Sequence, residues 1–178
     1  SGTETTYSWY LNPALTQVST TARIKIADEQ DASVSDVAPD SPNYFKIVPS
    51  FVITAPANDG GGNPARVMAS RNYQIKWTTQ GQNSTVNLYY WKASTCASIG
   101  GAGTSIARGT ADTSTAGYPW PVPDPAEIST GPVCVKVRVT YPADETVLDD
   151  SDNFWVVAGM TVVSPNGSAD KWDVGSSQ

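Results

Sequence analysis

Apolar and polar residues alternate in several short runs. In residues 73–77 (YQIKW), Tyr73, Ile75 and Trp77 share one face, and Gln74 and Lys76 share the other. Residues 85–91 (TVNLYYW) put Val86, Leu88 and Tyr90 inward and Asn87, Tyr89 and Trp91 outward. Residues 133–141 alternate through Val133, Val135, Val137, Val139 and Tyr141. Residues 22–26 (ARIKI) alternate through Ala22, Ile24 and Ile26, with Arg23 and Lys25 opposite. A period of two marks a strand with one buried face. Shorter strands are predicted at 7–11, 44–48, 51–56 and 152–157. Four prolines, at positions 119, 121, 123 and 125, limit 118–122 to an edge strand. The stretch 28–40 reads as a long acidic hairpin loop. Residues 93–115, rich in Ser, Thr, Gly and Ala, read as loop with a weak strand at 105–108. No segment keeps a helical period, so the expected class is an all-β sandwich. Its core would hold Trp77, Ile75, Leu88, Val86, Val135, Val137 and Phe154.

The pattern occurs twice. Tyr7-x-Trp9 returns as Tyr118-x-Trp120, and ARIKI returns as VKVRV at 135–139. DSPNYF (40–45) returns as DSDNF (150–154), and FVITAP (51–56) returns as TVVSP (161–165). Phe45 and Phe154 are 109 positions apart, as are Pro56 and Pro165, while Trp9 and Trp120 are 111 apart. A near-constant spacing carried by several different motifs signals a repeat. One unit is then about the size of an immunoglobulin-like domain. The chain divides into 1–48, the C-terminal half of one immunoglobulin-like unit; 49–157, a complete immunoglobulin-like β-sandwich; and 158–178, the first strand of a following unit or a donor strand. Tandem repeats of this kind expose apolar strand edges at both ends of the frame, and Met160, Val162 and Val163 are the expected assembly residues.

Composition narrows the function. The chain has 178 residues and a net charge of −6, and it contains no histidine. It offers no basic patch for phosphates, so nucleic acid is not an expected partner. No apolar run is long enough for a membrane helix. Without histidine, Ser-His-Asp and Cys-His nucleophile systems are excluded within these residues. Zinc would need more nitrogen and sulfur ligands than two cysteines supply. No enzymatic activity is expected.

The motif order YQIKWTTQG, TVNLYYWK, AGYPWPVPD, VKVRVTYPADETVLDDSDNFWV resembles the Ser/Thr-rich GPI-anchored fungal surface domain and the Ig-like repeats of large secreted prokaryotic surface proteins. The resemblance covers the central unit and part of both flanks. It implies an extracellular, non-catalytic sandwich used in cell-wall or surface architecture, with no catalytic residues to carry over. The long insert around Cys96 departs from the compact pattern.

Several residues are candidates for chemistry or recognition. Asp144, Glu145, Asp149, Asp150 and Asp152 lie within nine positions. They provide enough oxygens for Ca²⁺, with Asp149, Asp150 and Asp152 as the candidate ligands. The other reading is a solvated hairpin whose side chains cap turn amides. Apart from Ca²⁺, no cofactor is expected. Asp28, Glu29, Asp31, Asp36 and Asp40 hold the related place in the earlier copy. Cys96 and Cys134 are either an extracellular disulfide pinning the insert or two unrelated thiols. Asn83 and Asn166 begin glycosylation sequons. Tyr89, Trp91, Trp120 and Trp155 are expected to form an exposed surface for a glycan or a neighbouring domain. The expected function is a structural repeat protein of a cell-surface layer, fibre or filament, partnered by its own neighbouring repeats or subunits. The alternative is a carbohydrate-binding or adhesive surface module, with cell-wall or surface glycans as partners.

Overall fold

Trp77 sits at the centre of two facing sheets. The computed structural model describes residues 6–12, 14, 17–40, 42–58, 63–113, 116–124 and 131–159. The protein is all-β, and its only helical turn among the described residues is the short 3-10 segment Cys96–Ser98. Among the described residues, thirteen strands run in chain order: β1 Ser19–Ala22, β2 Ile24–Ala27, β3 Ser35–Ala38, β4 Phe45–Ile47, β5 Ser50–Ala55, β6 Arg66–Met68, β7 Asn72–Gln80, β8 Thr85–Ala93, β9 Thr104–Ala111, β10 Tyr118–Pro121, β11 Val133–Tyr141, β12 Asp144–Asp150 and β13 Phe154–Val157.

The small sheet has the order β10-β7-β5. The large sheet runs β6-β13-β11-β8-β9, with β12 also paired to β11. Both sheets contribute to one core, as a sandwich requires. Phe51, Ile75, Trp77 and Trp120 come from the small sheet; Val67, Val86, Leu88, Val133, Val135, Val137, Val139, Phe154 and Val156 come from the large one. The alternation read in 73–77 and 133–141 therefore points the expected residues inward. Gly117 sets the entry to β10. Its φ is +81°, and a Cβ there would meet the Ile75 carbonyl oxygen at 2.8 Å. Only glycine satisfies both constraints.

β12 and β13 are one strand interrupted at Ser151. Arg138 pairs with Asp150, and Val135 pairs with Phe154. In the gap, Ser151 Oγ accepts the Val137 N–H at 3.0 Å, and the Ser151 N–H donates to the Val137 carbonyl at 2.8 Å. The side chain replaces a missing ladder bond, so the buried amide stays satisfied.

The structure corrects several local expectations. The weak strand at 105–108 is the full edge strand β9. The acidic hairpin is mostly strand β12, whose ladder with β11 shifts register between Thr140 and Tyr141. The loop at 28–40 contains β3, and 7–11 forms no strand. The run at 22–26 is split at Arg23 into β1 and β2, which pair with β4 and β3 in separate two-stranded sheets. Its apolar face is exposed rather than half-buried, because no second sheet covers it among the described residues.

Candidate functional site

The outer face of the large sheet carries a polar and aromatic network. The indole of Trp91 lies over the Arg138 guanidinium at 4.7 Å and donates its N–H to the Gly101 carbonyl at 2.9 Å. Arg138 grips Asp150 with two hydrogen bonds, of 2.6 and 2.9 Å, and Lys136 stands 3.8 Å from the same carboxylate. The guanidinium beside it holds the Asp150 carboxyl below its ordinary range, and the carboxylate raises Arg138 in turn. Glu145 accepts the Tyr89 hydroxyl at 2.7 Å and the Asn87 amide at 3.0 Å. The Tyr89 hydrogen bond, followed by that of Asn87, keeps Glu145 below its usual value.

This network overturns part of the expected aromatic surface. Tyr89 is buried, because Glu145 on β12 and the Arg108 guanidinium on β9 close over it. Trp120 is also buried, packing edge-on to Phe154 with ring centroids 6.4 Å apart and against Tyr90 at 5.4 Å. It points into the core because β10 pairs Trp120 with Tyr73, on the side of the sheet that faces β11. Trp91 and Trp155 are half-buried, on the strands that flank β11. Two of the four rings expected on an exposed glycan or partner surface are therefore buried, Trp120 in the core and Tyr89 beneath Glu145 and Arg108.

The acidic residues are distributed among protein partners. Asp144 bonds Lys46 at 2.8 Å and Thr146, which together hold its carboxyl down at about 2. Asp149 accepts the Ile53 N–H at 2.7 Å, tying β12 to β5. Asp152 is exposed. Among the described residues, no group of three or more acidic or cysteine ligands converges. In the first segment, Asp28 accepts the N–H groups of Gln30 and Asp31 at 2.8 and 3.0 Å, a turn-capping role.

Cys96 and Cys134 form a disulfide between positions 38 residues apart. It anchors the 3-10 turn to β11, and Cys134 is fully buried beneath the insert. Asn83 donates its side-chain amide to the Thr85 carbonyl at 2.8 Å. Asn166, Met160, Val162 and Val163 lie outside the described residues.

A second surface was not legible as a site. Tyr7, Trp9, Arg23, Ile24, Lys25 and Ile26 line an open groove of about 640 Å³ along β2. Tyr7, Trp9 and Ile26 are among the most exposed large apolar residues. Arg23 stacks on Tyr44 at 4.4 Å, yet its Nε and Nη2 are buried without hydrogen-bond partners. A contiguous apolar face of this kind marks an interaction site more often than a free surface.

No family model, curated protein or solved structure matches the chain.

Proposed function

We propose that this protein is a non-catalytic extracellular structural protein of a surface layer, fibre or filament, built from tandem immunoglobulin-like repeats that meet end to end. The observation that carries the reading is a correspondence of register. Ala22 pairs with Phe45 across β1 and β4, and Val135 pairs with Phe154 across β11 and β13. Lys25 pairs with Val37 across β2 and β3, and Arg138 pairs with Asp150 across β11 and β12. This shared register supports reading the first segment as the closing strands of a related unit, although its last strand is interrupted over 39–44 rather than 151–153 and its β1 and β2 are separate where β11 is continuous.

The strand order supports the immunoglobulin-like assignment. β5, β7 and β10 take the places of strands A, B and E. β8, β9, β11 and β12–β13 take those of C, C′, F and G. β6 continues the first strand in the other sheet, pairing parallel with β13. The disulfide favours an oxidising, extracellular setting.

Electron microscopy and sedimentation of the purified chain across a concentration series test this reading. Linear oligomers that lengthen with concentration are expected. A monomer at every concentration would refute it.

A further inference from the structure

The central unit shows what covers the face that stays open in the first segment among the described residues. A shift of 113 positions maps Ile24 onto Val137 and Ile26 onto Val139, and it maps Asp36 onto Asp149. Val137 and Val139 are 0% exposed, whereas Ile24 and Ile26 are 44% and 74% exposed. Trp9 is 55% exposed, and its counterpart Trp120 is 3% exposed. The same side chains that form a core in one copy are therefore open to solvent in the other.

One of the elements covering the central copy is β5. It packs against β12 and β11, buries Phe51 in the core, and donates the Ile53 N–H to Asp149. In sequence, 160–165 (MTVVSP) corresponds to 51–56 (FVITAP), with Met160 at the position of Phe51 and Val162 at that of Ile53 at the 109-residue spacing.

We propose that the groove along β2 is a strand-acceptor site and that its occupant is residues 160–165 of a second copy of this chain. This rests on the end-to-end reading above and specifies its joint. Met160 enters the apolar groove between Trp9 and Ile26, and the Val162 N–H donates to Asp36. Charge argues against the simplest rival, in which β2 pairs with β2 of another copy. Antiparallel self-pairing would set Arg23 and Lys25 against each other, and like charges directly opposite destabilise a sheet. The donor segment is uncharged, and its valines suit an extended strand. Each copy donates at one end and accepts at the other, so the contact is heterologous and propagates.

Complementation tests the proposal with the full chain. Ile26→Asp disables the acceptor at an exposed position, and Val162→Asp disables the donor. By sedimentation velocity, each variant alone is expected to be monomeric, and a 1:1 mixture is expected to give dimers. Under oxidising conditions, Asp36→Cys mixed with Val162→Cys is expected to form an intermolecular disulfide. If the wild type assembles and each aspartate variant alone assembles equally well, the acceptor is elsewhere and only this joint is refuted. The same holds if the mixture stays monomeric, as it would if a strand of another polypeptide filled the groove. A wild type that never assembles overturns both this joint and the end-to-end reading.

Discussion

Replacing Trp77 by alanine probes the core most sharply. The indole is 1% exposed and lies among the aliphatic residues of both sheets. Its N–H donates to Asp112 Oδ1 at 2.9 Å, while Thr79 Oγ1 donates to Asp112 Oδ2 at 2.8 Å. Truncation removes the apolar contact, leaves a cavity and takes a donor from a part-buried carboxylate. Large aromatic truncations in packed cores cost about 3–5 kcal/mol. Loss of a hydrogen bond to a charged acceptor falls at about 1.5–3 kcal/mol, partly contained in that figure. Trp77→Ala should therefore lose about 4–5 kcal/mol, a large part of a typical domain's stability. Trp77→Phe separates the terms: it keeps most of the ring and drops the N–H, and should cost about 1.5–3 kcal/mol. Trp91→Ala is the control. Trp91 is half-buried and loses one cation–π contact and one N–H bond, about 1–2 kcal/mol together. Urea unfolding followed by far-UV circular dichroism measures all three without relying on tryptophan fluorescence. Equal midpoint shifts for Trp77→Ala and Trp91→Ala at unchanged slope would refute the assigned inner and outer faces.

Replacing both Cys96 and Cys134 by serine should cost about 2–4 kcal/mol, because the bridge closes a long loop in the unfolded chain; an unchanged unfolding midpoint would contradict this. Gly103→Ala places a Cβ 2.5 Å from the Trp91 ring and should destabilise by about 1–3 kcal/mol, with Trp91→Ala in the same chain relieving most of the added clash. Asp150 and Asp144 have carboxyls held below their ordinary range, so their contribution is present above about pH 4 and is lost as pH falls through the folded-state values. Asp150→Asn should therefore flatten the acid limb of the stability profile, modestly because the pair is partly solvated, and an unchanged limb would refute the ion pair's role. With Asp144, Glu145, Asp149 and Asp150 engaged by protein partners and Asp152 left exposed, calorimetry with millimolar Ca²⁺ should show no heat; a saturable heat abolished by Asp152→Asn would support the cation reading.

The long alternating strands were legible because β7 alternates cleanly and the valines of β11 all face the core; the alternation does not show that Cys134 and Thr140, on the other face of β11, are buried as well. The β9 strand was not, since TSIARGTA offers only Ile106 as a large apolar signal and lies at a sheet edge. Tyr89 and Asn87 defeated a two-face reading of β8. Their face is nominally outward, but Glu145 and Arg108 arrive from strands whose register the local pattern does not reveal. DETVLDD resembles a solvated turn by composition. It is a strand because Asp150 has Arg138 directly across the ladder. The recurring motifs were visible as a spacing, whereas the exposure of Ile24 and Ile26 was not. Alternation states which face seeks cover, and only the structure shows that none is present among the described residues.

Hydrogen exchange resolved by peptide, as protein concentration is raised through the onset of assembly, tests the central claim most directly. The account predicts that the amides of β2 gain protection in step with oligomer formation, while those of β11 stay protected throughout. Assembly that proceeds with β2 exchanging as fast as in the monomer would contradict it.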